Sequence, residues 1–161
     1  MPVAELDIRN ALVTLIAGVS GAGAVYNRLR IAGFLSEFNI LNVDDANKIN
    51  VVFVRWVGFS EQVSSFDDPI SQIENYEIWF YRGRLDAPDG ADSESELVLF
   101  IQNVRAALRD SANRHLVLTT PGNIVSQGGM STGSPLIDTN ELGDFTCHRF
   151  IGRLSVSIED C

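Results

Sequence analysis

Two stretches of the chain repeat their apolar residues every three or four positions, which is the spacing of a helix with one apolar face. The first extends from Val3 to about Val19, and its stripe is Ile8, Leu12, Leu15 and Val19. The second begins at Ser93, which has the spacing of a capping box with Glu96. Its stripe is Leu97, Ile101, Val104 and Leu108. These patterns predict two amphipathic helices.

Other stretches have the composition or the alternation of strands. Residues 49–57 are β-branched or aromatic on both faces, which predicts a strand inside a sheet. Residues 74–82 alternate between a dry face and a mixed aromatic face. The dry face is Tyr76, Ile78 and Phe80, and the mixed face is Asn75, Glu77, Trp79 and Tyr81. The remaining predictions are an extended segment over 24–31, a short helix over 34–41, a short strand over 115–119 and a closing strand over 150–158.

The order helix, strand, strand, helix, strand, strand indicates an α+β fold. Since loops rather than crossover helices join adjacent strands, we expect an antiparallel or mixed four-stranded sheet with the helices packed mainly on one face. The length of 161 residues suits a single domain over 1–161. Long flexible loops are predicted over 58–73 and 120–144, the second because it is rich in Gly, Ser, Thr and Asn.

Three glycines follow the first predicted helix, namely Gly18, Gly21 and Gly23. A phosphate-binding turn needs a strand before the glycines and a helix after them, because the helix N-terminus supplies the amide groups that hold the anion. Here the helix comes first and an extended segment follows. The glycines therefore predict a helix end and a tight turn, and no cofactor site.

Candidate catalytic and metal-binding groups are few. The only histidines are His115 and His148, and a strand would turn His148 away from Cys147. Cys147 and Cys161 have neither disulfide nor metal-ligand spacing. The acidic pairs at 44–45 and 67–68 lack the turn motif of a calcium loop, so they indicate solvated loops. We predict no catalytic residues and no metal site.

The net charge of −9 makes sequence-general binding of nucleic acid improbable, because such binding requires a surplus of Lys and Arg. No run of apolar residues is long enough for a membrane span, and the N-terminus lacks the basic and apolar regions of a signal peptide. These features favour a soluble cytoplasmic protein.

Aromatic residues on predicted strands are the candidate interaction residues. If the helices cover one side of the sheet, the other side presents Trp, Tyr and Arg, which are enriched at protein interfaces. A second layer formed by the loops could equally cover that side. We predict interface roles for Trp56, Trp79 and Tyr81, and for Met130 in the 120–144 loop.

Four stretches together resemble a group of small tail-region proteins of tailed bacteriophages and prophages. They are GVSGAGAVYNRLR, KINVVFVRW, NYEIWFYRGRLDAPDGADSESELVLFIQNVRAALR and FTCHRFIGRLSVSIED. Their order is similar to that of tail terminator (tail completion) proteins, although the segment 58–75 is longer and the 120–144 loop richer in glycine than that group leads us to expect. The resemblance implies a non-enzymatic virion protein whose homohexameric ring caps the tail tube and ends its polymerisation.

The resemblance also implies partners and a location. The partners are other copies of the chain, the tail tube protein and the head-tail connector or neck protein, while DNA passes through the ring without specific binding. The implied location is the head-proximal end of the virion tail. During assembly the protein would be in the host cytoplasm, and no membrane is involved. Two alternatives stay open: a head completion or neck protein that seals the portal, and a small bacterial binding domain or enzyme.

Overall fold

The computed structural model describes residues 5–28, 48–62, 71–84, 91–118, 124–132, 137–142 and 145–159. The helices in these ranges are α1 (Glu5–Ala17) and α2 (Ala91–Arg109), followed by a short 3₁₀ turn (Ser111–Asn113). The strands are β1 (Ala24–Tyr26), β2 (Lys48–Gln62), β3 (Ser71–Arg84), β4 (Ile124–Thr132), β5 (Asp138–Leu142) and β6 (Phe145–Glu159).

All the described strands belong to one mixed sheet. Five of them follow the order β1-β2-β3-β6-β4, and β5 pairs with the first part of β6. β1 is parallel to β2, and the other pairs are antiparallel. The predicted α+β class with a mixed sheet is confirmed, but the prediction of four strands was wrong. The sequence missed β4 and β5 because they lie in the glycine- and serine-rich 120–144 segment, whereas β1 lies in the predicted extended segment over 24–31.

Both helices pack on the same face of the sheet, as predicted. One buried cluster joins α1, α2 and the even-numbered positions of β3, which are Tyr76, Ile78 and Phe80. Phe80 lies at its centre, with its ring 5.7 Å from that of Phe100 and 5.5 Å from that of Phe150. We name this side of the sheet the helix face. The dry face predicted for residues 74–82 is therefore confirmed.

The helices differ from their sequence patterns in detail. All four predicted stripe residues of α2 are buried, and Phe100 joins them. In α1 the fully buried residues are Ile8, Leu12 and Ile16, whereas Leu15 and Val19 are only partly buried. α2 begins two residues before Ser93, so Ser93 lies inside the first turn and the predicted cap at this residue was wrong.

The opposite side of the sheet, which we name the open face, has a smaller buried cluster at one end. Its members are Ile49, Val51, Phe53, Tyr81 and Cys147, with Ala24, Tyr26 and Trp79 packed against them. Cys147 is buried and is not part of a disulfide. Because this cluster is buried, the open face is covered at that end. Beyond Trp79 the open face is more polar.

Both predicted loops contain strands. In the 58–73 segment, β2 extends to Gln62 and β3 begins at Ser71. In the 120–144 segment, β4 and β5 pair side by side with β6. The strand predicted over 115–119 is reduced, in its described part, to one bridge between His115 and Ser126. These segments have a loop-like composition, but they form strands because backbone hydrogen bonds to distant strands outweigh the local preference of their side chains.

Some of the predicted elements are confirmed only in part, and others lie outside the described residues. The extended segment over 24–31 is confirmed as a strand over β1, and the closing strand as the longer β6. The helix over 34–41, both acidic pairs and Cys161 lie outside the described residues. No helix in the described ranges has the length and apolar character needed to cross a membrane.

Tyr76 provides a test of the helix-face core at high pH. Its hydroxyl donates to the Glu5 carbonyl oxygen at 3.5 Å, and burial, with the charges of Glu5 and Glu74, raises the pKa of Tyr76 far above its ordinary value of 10.0. Below pH 10 the hydroxyl keeps its proton in both states. Above pH 10 only the unfolded chain releases the proton, so the free energy of unfolding falls as the pH rises.

We expect Tyr76→Phe to remove this part of the alkaline loss of stability. The measurement is the free energy of unfolding by denaturant at several pH values from neutral upward, for the natural chain and for the variant. Tyr76→Phe should give the flatter profile. Parallel profiles for the two proteins would show that Tyr76 does not hold its proton in the folded state.

Candidate functional site

Trp79 is the centre of the exposed part of the open face. The Arg55 guanidinium carbon lies 5.4 Å from the centre of the Trp79 ring, and that of Arg149 lies 5.7 Å from it. Arg149 is fixed by two bonds to the Asp138 carboxylate, at 2.6 and 3.0 Å. Trp79 Nε1 donates to Glu77 at 3.0 Å. β2, β3, β5 and β6 thus contribute side chains to one partly exposed aromatic and cationic surface.

Tyr81 lies on the same face but in the buried cluster. It is 4% exposed, and its ring meets Phe53 edge to face at 5.9 Å. Burial raises the pKa of Tyr81, while the charge and hydrogen bond of Arg149 oppose that shift. The interface role of Tyr81 stays a prediction. In this structure its ring lies beside that of Trp79, with the ring centres 6.5 Å apart, and is buried rather than presented at the surface.

Trp56 lies on the helix face, opposite to Trp79. The two tryptophans are on neighbouring strands, as expected, but Trp56 is paired with Tyr76 and Trp79 with Phe53. Trp56 Nε1 donates to the buried Glu74 carboxylate at 2.6 Å, and the ring is 40% exposed. The sequence could not place the two rings on opposite faces, because that requires the register of β2 against β3.

Two further apolar side chains are exposed beside Trp56. A bulge between Trp56 and Gly58 shifts the register, and Gly58 has φ +138°, which favours glycine. Val57 and Phe59 are exposed around this bulge, Phe59 to 58%. We name residues 56–61 the β2 outer segment. Among the described residues only β3 pairs with it, so it is a sheet edge that carries aromatic groups.

Met130 has a packing role. It lies on β4 after a second bulge and is partly buried against the helix-face core. Gly152 on β6 leaves the space that the Met130 thioether occupies, since a Cβ at that position would overlap it. The interface role of Met130 stays a prediction, but the residue belongs to a paired strand and not to a loop.

The glycine turn directs two carbonyl groups at neighbouring side chains. Gly21 has φ +89°, and its carbonyl oxygen accepts a bond from the Arg82 guanidinium at 2.5 Å. The Ser20 carbonyl accepts from Asn103 at 3.3 Å. An anion would be repelled by these oxygens. The cations nearby are also engaged, since Lys48 pairs with Glu96 at 2.8 Å and Arg82 stacks on Phe100 at 4.6 Å.

His148 lies in an arrangement that resembles an acid-base site. Its Nδ1 is 2.9 Å from Ser93 Oγ, and its Nε2 is 3.9 Å from a Glu94 carboxylate oxygen. Ser93 is 3% exposed, so a substrate cannot reach the hydroxyl. Cys147 belongs to the cluster on the other face, as its position next to His148 in a strand predicts. The arrangement ties α2 to β6.

The other histidine and the acids form no metal site in the described ranges. His115 Nδ1 lies 2.9 Å from Ser126 Oγ at the sheet edge. No group of three or more His, Cys, Asp or Glu side chains converges within the part of the chain that the structure describes.

A groove of about 800 Å³ runs between the two helices. α1 contributes Leu15 and Val19, α2 contributes Ala106 and Ala107, and residues 115–118 close one side. Val117 in this last segment is 89% exposed. The sequence did not indicate the groove, because small residues on α2 become an opening only once α1 lies beside them.

No protein-family model matches the sequence, and no curated protein matches it.

Proposed function

We propose that this chain is a structural protein of a phage tail, a tail terminator whose homo-oligomeric ring caps the tail tube and forms the tail side of the head-tail junction. The observation that carries the proposal is the β2 outer segment, a sheet edge with exposed Trp56, Val57 and Phe59. An exposed apolar edge on a folded domain favours assembly with another protein.

Two further features support an assembly role. The surface around Trp79 on the open face combines this tryptophan with two arginines, Arg55 and Arg149. Tryptophan and arginine are among the residue types most enriched at the energetic centres of protein interfaces. The net charge of −9 suits a ring through which DNA passes without adhering. The resemblance of the sequence to tail terminators supports placing the assembly at the head-proximal end of the tail.

Deleting the gene tests the proposal. A terminator sets the end point of tube polymerisation, so the lysate should contain overlong tails without heads beside DNA-filled heads without tails. Electron microscopy of the lysate measures both, and expression of the natural chain from a plasmid should restore normal particles. Tails of normal length that fail to join heads would instead favour a neck protein that seals the portal. Unchanged virions would contradict both positions.

A further inference from the structure

Two arginines and one carboxylate lie in a row across the open face. Arg55 on β2 is paired with Glu77 on β3, and Glu77 is paired with Arg153 on β6. Since neighbouring strands lie about 4.8 Å apart, the backbones of the two arginines are about 10 Å apart. Glu77 is therefore the carboxylate between two guanidinium groups, and it cannot neutralise both.

Glu77 interacts with Arg153 and Trp79. Its Oε1 lies 3.7 Å from Arg153 Nε, and its Oε2 accepts the bond from Trp79 Nε1 at 3.0 Å. In the part of the chain that the structure describes, the Arg55 guanidinium contacts the Trp79 ring but forms no ion pair. Arg55 is exposed, so its charge and its N–H donors are available to a ligand.

The Trp79 ring holds Arg55 ready for such a ligand. A guanidinium over an indole ring is attracted by the electrons of the ring face, which limits the conformations that the arginine side chain adopts. A side chain that is already ordered loses less entropy when it binds. Arg149 also contacts the ring, but the Asp138 carboxylate already neutralises it. Arg153, whose side chain is 67% exposed, extends the cationic surface on β6.

The available donors of Arg55 fit a carboxylate group. A guanidinium presents two parallel N–H groups that match the two oxygens of a carboxylate. The phosphates of a nucleic acid would match the same donors, but such binding requires a surplus of Lys and Arg. Here Glu77 and Asp138 interrupt the surface, and the chain has a net charge of −9. A carboxylate beside an apolar side chain fits better, because the apolar group can pack on the partly exposed Trp79 ring.

The chain itself has few carboxylates to spare for this site. Most of the carboxylates that the structure describes already have a basic, amide or indole partner within the chain, as do Glu5, Glu74, Glu96 and Asp138. If one of them moved onto Arg55 of a second copy, one pairing would replace another and little free energy would be gained. The carboxylate is therefore expected from another protein.

We propose that Arg55 and Trp79 bind an acidic segment of another protein. A carboxylate side chain of that segment accepts two N–H donors of Arg55, an adjacent apolar side chain packs on Trp79, and a second carboxylate lies near Arg153. This inference goes beyond the proposed function and does not rest on it, because the chemistry of the ligand follows from the surface alone.

A short acidic peptide tests the site. The probe is a peptide in which glutamates flank one leucine, Glu-Glu-Leu-Glu-Glu, and its control is the same peptide with glutamine in place of every glutamate. Isothermal titration calorimetry of the natural chain at low salt should show saturable binding of the glutamate peptide and none of the glutamine peptide. Arg55→Gln should weaken the binding at least about tenfold, since it removes a charge-assisted pair. In Trp56→Phe, where Trp79 is the only tryptophan, the glutamate peptide should change the tryptophan fluorescence.

The matched control is Arg105→Gln. Arg105 is an exposed arginine of α2, on the side of the sheet that carries the helices, and its loss changes the net charge by the same amount. This variant should bind the glutamate peptide as the natural chain does. Circular dichroism of all the variants should be unchanged, which separates a lost site from a lost fold.

Several results would overturn the inference. The natural chain might not bind the glutamate peptide at millimolar concentration, or Arg55→Gln and Arg105→Gln might weaken its binding equally. Single-stranded oligothymidine that binds more tightly than the peptide, and loses its affinity in Arg55→Gln, would assign the site to nucleic acid instead. Oligomers of the natural chain that Arg55→Gln converts to monomers would assign it to a second copy. The outcome of gene deletion does not depend on peptide binding, so the inference and the proposed function can fail separately.

Discussion

Replacing Phe80 by alanine is expected to lower the free energy of unfolding by about 3–5 kcal/mol, the largest effect of any single substitution considered for this chain. Phe80 is fully buried on β3, and its ring contacts Phe100 of α2 and Phe150 of β6. Alanine would remove the ring that joins the second helix to the two central strands. The cavity left behind adds to the lost burial, because the surrounding strands cannot collapse into it.

Denaturant unfolding followed by circular dichroism measures this effect. The control is Leu99→Ala on the exposed side of α2, which should change the free energy of unfolding by less than about 0.5 kcal/mol. If the alanine variant does not fold, Phe80→Leu replaces it in the experiment. Its loss in the free energy of unfolding should lie between that of the control and that expected for alanine. Similar stabilities for Phe80→Ala and Leu99→Ala would contradict the position assigned to this ring.

Gly23→Ala is expected to destabilise the chain by about 1–3 kcal/mol through overpacking. A Cβ at Gly23 would overlap the backbone oxygen and the side chain of Asn50 on β2. The backbone oxygen cannot rotate away, so β1 must move from β2, with which Ala24 and Val25 are in parallel register. The effect should appear in the free energy of unfolding and in faster amide exchange over β1.

Gly18→Ala is the matched control in the same glycine cluster. A Cβ there has ordinary contacts, the nearest being the Leu15 carbonyl oxygen at 3.5 Å, and no positive φ is required. Its stability should change by less than about 1 kcal/mol. If the glycines formed an anion cradle, inorganic phosphate would raise the melting temperature of the natural chain and both substitutions would remove that rise. No such rise is expected, since the turn presents carbonyl oxygens.

The sequence correctly predicted those helices and strands in which the spacing of apolar residues agrees with the residues that are buried. In α2 all the residues of the predicted stripe are buried, and in β3 the alternation separates the core residue Phe80 from the surface residue Trp79. In α1 the spacing predicted that Leu15 continues the stripe from Leu12, but the buried residue is Ile16. The contact with the sheet selects Ile16, and that choice is not written in the local pattern.

The same limit applies to the candidate surfaces. Trp79 was found by alternation alone, but the arginines that stack on it come from β2 and β6, which only the sheet brings together. The groove likewise requires two helices and residues 115–118. Such sites join residues far apart in sequence, so no short window of the chain contains them.

What the sequence determined by itself is the α+β class, the position of both helices, the inward face of β3 and the glycine turn that ends α1. Each follows from local hydrophobic period or from glycine placement, which act over a few residues. Only the tertiary structure decided that residues 124–132 and 138–142 are strands and that Trp56 faces away from Trp79. These outcomes depend on register with strands far along the chain, and the free energy of that pairing outweighs the local preference of glycine- and serine-rich segments for loops.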